Sequence, residues 1–346
     1  MKLTATQKQI LYAVVLQANK SAADISRELG LREHAVRRGI SSLLDQGVFL
    51  RRSVWVDPHV LGLNLYVVHV ELPLKSMIHR DAFLELLVSL EESCAVAELG
   101  GEGLFEVRIL ATGREHLDEL FQSLAQASPA PFRIRACVTV LEQEYSGTSE
   151  TGSKTTSRTS LYFGPLRPGI SLHRLDEKDH SILSALANQP YLNLQEVSRA
   201  VKLPPATLMY RVDKLEKAGV IKGHYYVMDP KVFKEMPIAL HIRSRVLTQK
   251  ERSALMDYCR AHPRISLISF LFGELSIELY TLVHDQKDVR TVIADLSRHF
   301  GDILEMPQTV PQISFAKYTL YPFKSYQRVL GMFADVRARS TLPDEV

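Results

Sequence analysis

The sequence predicts an α+β protein made of two tandem copies of one unit, each a three-helix bundle followed by a layer of four strands and two helices. Three observations predict it. The chain matches itself at one fixed offset, a stretch almost free of apolar residues divides the two copies, and within each copy the apolar period changes from helical to alternating. The offset is 172 positions, close to half of the 346 residues, and it runs without a gap. It pairs Leu3 with Leu175, Ile10-Leu11 with Ile182-Leu183, Ser26-Arg27 with Ser198-Arg199, Leu31 with Leu203 and Leu43 with Leu215. It also pairs Gly47 with Gly219, Asp57-Pro58 with Asp229-Pro230, Gly101-Glu102 with Gly273-Glu274, and Glu106 with Glu278. The divide is Ser146–Ser160, SGTSETGSKTTSRTS, which has the composition of a flexible, solvated linker.

Composition narrows the class. Apolar residues make up 46% of the chain, enough for packed cores. The longest apolar stretches, Ile10–Leu16 and Leu63–Val70, fall far short of a membrane span, and Met1-Lys2-Leu3 opens no signal-peptide pattern, so a cytoplasmic protein without a membrane partner is expected. Cys94, Cys137 and Cys259 include no CxxC pair, which argues against a disulfide framework or a zinc site and leaves them as buried fillers. The net charge is only +3, but it is unevenly spread: residues 1–58 hold nine Lys/Arg against five Asp/Glu, and residues 59–145 hold six against thirteen.

The first helix of copy 1 covers Gln9–Leu16. Ser21, with Asp24 three residues on, caps a second helix that stops at Gly30, and Asn193 with Glu196 repeats that signal in copy 2. A longer third helix then runs to Gly47 or Gly219, its buried stripe being Val36, Ile40 and Leu43 in one copy and Leu208, Val212 and Leu215 in the other. Three helices in this arrangement are a helix-turn-helix unit, and the stretches Val48–Val56 and Val220–Met228, each closed by Asp-Pro, read as small β-wings. Winged helices lay the third helix in the major groove of double-stranded DNA while wing and helix termini touch phosphates. The candidate DNA-binding residues are Arg32, His34, Arg37, Arg38 and Ser41 on the third helix of copy 1, with Arg51 and Arg52 on its wing. In copy 2 they are Tyr210, Arg211, Lys214 and Lys222, with Met209, Tyr210 and Asp213 standing where copy 1 has Arg37, Arg38 and Ser41. Alanine at Arg37 and Arg38 is therefore expected to weaken specific binding more than alanine at Tyr210 and Lys214.

After each wing, alternating apolar residues predict strands at Leu63–Leu72, Val96–Leu99, Phe105–Ala111 and Arg135–Gln143, with helices at Asp81–Glu91 and His116–Ala127. Copy 2 gives Ile238–Val246, Leu267–Phe272, Ser276–Val283 and Gln312–Tyr321, with helices at Glu251–Ala261 and Lys287–His299. A tail from Phe323 carries Tyr326, Val329, Leu330 and Phe333 at helical spacing.

Leu175-Asp176, Asp179, Ile182-Leu183, Leu203, Pro205, Arg211-Val212, Leu215-Glu216, Gly219-Val220-Ile221, Gly223 and Asp229-Pro230 give copy 2 a pattern that resembles the leucine-responsive regulatory protein/AsnC (Lrp/AsnC) family of transcriptional regulators. Copy 1 departs from it, with Thr4 and Gln7 in place of aspartates and Gly39 in place of arginine. The resemblance implies two winged helix-turn-helix units, 1–58 and 173–230, each followed by a ferredoxin-like βαββαβ layer of the AsnC ligand-binding type, 59–145 and 231–322, with a flexible linker over 146–172 and a tail over 323–346. It further implies an amino acid or similar small effector at the turn between the second and third strands, here Gly101 and Glu102 in copy 1 and Gly273 and Glu274 in copy 2, where glycines admit close backbone approach. Residues 231–330 carry fourteen Lys/Arg against ten Asp/Glu, so charge complementarity favours an intrachain pseudo-dimer of the two layers, with a two-chain homo-oligomer as the competing arrangement. No cofactor, metal or catalytic residue is expected. Two other readings stand beside the regulator: an enzyme like the Lrp-type sirohaem decarboxylases, for which His69 and His241 are the histidine pair at the offset, and an assembly protein that does not bind DNA.

Overall fold

The computed structural model describes residues 3–100, 103–146, 160–165, 172–189, 193–229 and 235–332. The first three helices are α1 (Ala5–Val14), α2 (Ala22–Leu29) and α3 (Glu33–Asp45). Ser21 caps α2 by accepting from the Asp24 amide, and Gly30 ends it at φ 65°. The buried seam of α3 is Val36, Gly39 and Leu43, with Ile40 half-buried. A Cβ at position 39 would stand 2.3 Å from Ile10 Cδ1, so the missing side chain lets α1 and α3 approach closely.

Strand β1 (Phe49–Val56) follows, then β2 (Asn64–Glu71), α4 (Arg80–Ser89), β3 (Ser93–Leu99), β4 (Leu104–Ala111), α5 (Arg114–Ala127) and β5 (Arg133–Tyr145). After a short β6 (Leu161–Phe163) the order repeats: α6 (Glu177–Asn188), α7 (Leu194–Ala200), α8 (Pro205–Lys217), β7 (Ile221–Met228), β8 (Met236–Ile242), α9 (Gln249–Ala261), β9 (Ile265–Phe272), β10 (Ile277–Val283), α10 (Gln286–Phe300) and β11 (Gln308–Tyr318). Lys202 takes at φ 54° the left-handed turn that Gly30 takes in the first half.

The expected wings are not separate hairpins. β1 and β7 pair with each other as an antiparallel ribbon, from Phe49 opposite Met228 to Val56 opposite Ile221. Two crossed bonds close its ends, Asp57 N to Val220 O (2.9 Å) and Asp229 N to Val48 O (3.1 Å). A strand needs an edge to pair with, and here each half supplies the other's. Trp55, fully buried, stacks on Tyr145 at 5.7 Å and lies against Phe163 and Tyr225, which fastens the ribbon to the sheet behind it.

The remaining strands form one closed circuit, β2-β4-β3-β11-β8-β10-β9-β5 and back to β2, with β6 added on β5. Two long strands make the closure. β5 pairs first with β2 of its own half and then, from Thr139 to Tyr145, with β9. β11 pairs with β8 from Gln308 to Pro311 and then with β3 from Gln312 to Tyr318. Alternation sends Val68, Val70, Phe105, Val107 and Ile109 outward, into a core shared with α4 and α5 through Phe83, Leu87, Leu117, Leu120 and Leu124. Ile238, Leu240, Ile268, Phe270, Ile277 and Leu279 do the same with α9 and α10. The opposite face of each half-sheet is buried by its counterpart in the other half, so the two layers pair within one chain.

Three expectations need correction. Residues 161–163 lie inside the expected linker 146–172 yet form a strand, because Leu161 and Phe163 are buried beside Trp55; most of the remaining linker, 147–159 and 166–171, falls outside the described residues. Cys94 and Cys259 are buried, but Cys137 is exposed on the outer side of β5. In the tail, residues 326–332 are helical with Val329 and Met332 buried; Leu330 is half-exposed, and Phe333 lies outside the described residues.

The two helix bundles are secured differently at the same place. In the second half Asp176 caps α6, and Arg211 on α8 donates to both Asp176 oxygens (2.9 and 2.7 Å) and to Asp179 Oδ1 (2.6 Å). Burial works against the Asp176 carboxylate, but the Asp179 amide and the Arg211 guanidinium outweigh it and hold its pKa below the usual range. In the first half the equivalent positions are Thr4, Gln7 and Gly39: Thr4 and Gln7 form a reciprocal capping box, and Gln7 Nε2 donates to Ser42 Oγ (3.1 Å). The three departures of copy 1 are thus one coupled exchange of an ion triad for a neutral cap.

Arg211→Ala leaves Asp179, whose side chain is buried, without its cation, and is expected to lower stability by about 2–3 kcal/mol in urea unfolding. Because the folded-state pKa of Asp176 is depressed, that contribution is complete above the free-aspartate value of 3.8 and fades as pH falls through the folded value, so the two proteins should converge in acid. A second pH effect has the opposite sense. Lys317 donates to Val88 O, Leu90 O and Ser93 Oγ at the end of α4, and burial pushes its ammonium down to about 8. Between about 8 and the free-lysine value of 10.5 the unfolded chain holds the proton that the folded chain has lost, so the urea midpoint is expected to rise with pH, and Lys317→Met should flatten that rise.

Candidate nucleic-acid interface

The outer face of α3 presents every residue expected there. Arg32, His34, Arg37, Arg38 and Ser41 are all exposed, above the buried seam of Val36, Gly39 and Leu43. Arg37 is braced by Glu33 one turn earlier (2.5 Å), which holds its guanidinium along the helix surface. Arg32 is the N-cap residue of α3, placing its side chain at the positive end of the helix dipole.

On α8 the picture is mixed. Tyr210 is 69% exposed and Lys214 is exposed, while Lys217 is paired with Asp213 (2.7 Å). Arg211 does not face outward: its guanidinium is tied to Asp176 and Asp179, so a phosphate contact from it is ruled out by its place in the fold. Lys222 reaches Asp57 at 3.3 Å, across the end of the ribbon.

The ribbon also redirects both wing arginines. Arg51 donates to the carbonyls of Ala187 and Tyr318 (2.9 Å to the latter), and Ser53 Oγ donates to the same Ala187 carbonyl (3.2 Å). Arg51 is a fastener between the ribbon, the end of α6 and the end of β11. Arg52 donates to Tyr226 OH (3.0 Å) with its guanidinium over that ring at 5.4 Å. With no hairpin wing to carry them, neither arginine is presented as the sequence led one to expect.

Of the expected effector turns, Gly101 and Glu102 lie outside the described residues. Gly273, at φ 142°, packs so closely on β5 that a Cβ would stand 2.8 Å from Val138 Cγ1. Glu274 is exposed, and its carbonyl accepts from Arg243 Nε (3.3 Å).

A second cluster of polar groups sits inside the barrel. His69 on β2 and His241 on β8, singled out by the repeat offset, stack at 5.0 Å. Beside them lie Glu106, Arg108, Glu278 and Tyr280, all packed into the interior. Arg108 donates to Glu106 Oε1 (2.9 Å), to Glu278 Oε2 and to Tyr280 OH (3.1 Å), and Tyr280 OH donates to Glu106 Oε1 (2.7 Å). Burial alone would raise the Glu106 pKa, but Arg108 and the two imidazoles hold it well below the usual carboxylate range. Burial would likewise lower His241, yet Glu278 and Glu106 raise it. The sequence offered a signal for this cluster, since the offset pairs His69 with His241 and Glu106 with Glu278, but nothing in it joined the two pairs. No helix among the described residues is long and apolar enough to cross a membrane.

Comparison with known proteins agrees with this architecture. The family described as winged helix-turn-helix DNA-binding matches residues 175–222. An uncharacterised HTH-type transcriptional regulator of Pyrococcus abyssi is 36% identical over 127 residues, covering 36% of this chain and 81% of the relative. The regulatory protein AsnC of Haemophilus influenzae is 21% identical over 123 residues, covering 36% of this chain and 81% of AsnC. Among solved structures the siroheme decarboxylase NirDL superposes with a TM-score of 0.60 at 11% identity, over 97% of this chain and 99% of that one, a likeness of fold. With the helix-turn-helix units, the closed α+β barrel and relatives named as regulators in hand, the chain belongs to the Lrp/AsnC family of HTH-type transcriptional regulators.

Proposed function

We propose that this chain is a sequence-specific regulator that binds double-stranded DNA through α3 in the major groove, with α8 as a weaker second contact. The observation that carries the reading is the outer face of α3: Arg32, His34, Arg37, Arg38 and Ser41 stand exposed on one surface of a helix whose other side is locked into a core. A guanidinium presents two parallel donors, which suits a guanine edge or a phosphate. Tyr210 and Lys214 on α8 fit phosphate and sugar contacts, which position a protein without reading sequence. The units 1–58 and 173–230 then serve as two unlike reading heads, and 59–145 with 231–322 as the shared module that holds them. An amino acid or similar small effector at the Gly273-Glu274 turn would act on this module by backbone contact.

Selection of bound sequences from a random DNA pool tests the reading, with and without amino acids. Against the selected site at fixed salt, Arg37→Ala with Arg38→Ala is expected to cost at least tenfold in affinity, since one good base contact is worth about 1–3 kcal/mol. Tyr210→Ala with Lys214→Ala should cost less, affect unrelated DNA equally and reduce the salt slope by about one. Equal losses in the two variants would remove the proposed division of labour, and the absence of any enriched sequence would remove the DNA-reading role.

The chain-long likeness of fold to NirDL keeps a decarboxylase-type reading in view. Incubation with the tetrapyrrole that enzyme acts on, followed by absorbance, separates the two; an unchanged spectrum is expected.

A further inference from the structure

We propose that the interior of the barrel is a binding site for one divalent transition-metal ion, with His69, His241 and Glu106 as ligands and Glu278 as the fourth. The two imidazoles and the Glu106 carboxylate offer donor atoms that all lie within 4.8 Å of one another. His69 Nε2 stands 3.7 Å from Glu106 Oε2, and His241 Nε2 stands 3.4 Å from Glu278 Oε1. Three of these atoms, His69 Nε2, His241 Nε2 and Glu106 Oε2, are buried without a hydrogen-bond partner. Buried polar atoms nearly always have partners, and three orphans gathered in one place point to a shared one. In the tautomer that leaves Nε2 without a proton, the imidazole nitrogen and the carboxylate oxygen are both acceptors, and one cation between them satisfies all.

The donor set selects the ion. Two imidazoles with two carboxylates suit zinc, cobalt or iron at about 2.0–2.2 Å, while calcium and magnesium take oxygen alone. Closing the present separations onto one ion asks for side-chain shifts of the order of an ångström. The surroundings fit as well: Arg108 holds one oxygen of each carboxylate, Glu106 Oε1 and Glu278 Oε2, and leaves the other turned toward a histidine. Ligating carboxylates are commonly oriented in this way. One guanidinium against two carboxylates leaves the cluster negative when both histidines are neutral. Since β2 and β4 supply two ligands and β8 and β10 the other two, the ion would fasten one half of the chain to the other.

The test uses the full chain, stripped with a chelator, unfolded, and refolded with Co2+ because the site is enclosed. The expected result is one cobalt per chain by elemental analysis, visible absorption of an ion with nitrogen and oxygen ligands, and an unfolding midpoint above that of the metal-free chain. The variant His69→Gln with His241→Gln should lose the bound ion and the absorption, with the metal-free midpoint little changed. Failure of the wild-type chain to retain cobalt overturns the proposal, as does retention of the same spectrum by the variant. Should the variant not fold, X-ray absorption on the zinc-loaded wild-type chain decides: imidazole and carboxylate ligands support the site, and a shell containing sulfur or lacking imidazole overturns it.

Discussion

The guanidinium of Arg108 lies between Glu106 of its own half and Glu278 of the other, and it is the cation that meets both carboxylates inside the closed barrel. Each four-stranded half-sheet has one apolar face, covered by its two helices, and one face that carries charge. Removing that second face from water is costly unless the carboxylates meet a cation. The arrangement is not symmetric, because the position equivalent to Arg108 is Tyr280. A second half facing its own copy would enclose two glutamates with no guanidinium, whereas the first half carries Arg108 beside its own Glu106. The mixed pair supplies one cation, one phenol and two carboxylates, so the first half brings the guanidinium that a pair of second halves would lack.

From that closure the remaining geometry follows. β5 and β11 each pair with a strand of their own half-sheet and with one of the other, so each half-sheet is joined to its counterpart at both edges. The β1–β7 ribbon lies over the barrel, fixed by Trp55 against Tyr145 and by Arg51 against the ends of α6 and β11. The helix bundles hang from the ribbon, with α1's following loop bonded to β7 through Ala18 N to His224 O (3.0 Å) and Tyr226 N to Val15 O (2.8 Å). Thus the position of α3 relative to α8 is set by contacts buried far from either exposed face.

Much of this was legible. Ser21 and Asn193 as caps and Gly30 and Gly47 as stops act through neighbours in sequence, and the structure has them where the pattern put them; the alternating strands recur in the expected order with ends shifted by up to four residues, as at Met236–Ile242 and Gln308–Tyr318. What was not legible depends on partners from the other half. Arg51 on an alternating strand after the third helix looks like a phosphate contact until the ends of α6 and β11 take its guanidinium. Arg211 looks like one until Asp176 and Asp179 are brought beneath it by the packing of α6 on α8. A polar face on an alternating strand reads as solvent-facing, and only the pairing of two such faces turns Glu106, Arg108 and Glu278 into a buried network. Residues 161–163 form too short an apolar run to announce a strand.

One chain with two fixed heads behaves unlike two chains that meet. Two identical chains that meet present the same helix twice, and two-fold symmetry of the protein is mirrored in a palindromic operator. Here the ribbon locks together a head carrying Arg37 and Arg38 and a head carrying Met209 and Tyr210. On the proposed reading, a duplex that both heads straddle meets different chemistry at its two ends, so the two orientations of the protein on it are unequal. On that reading, such a chain would distinguish upstream from downstream within a single polypeptide.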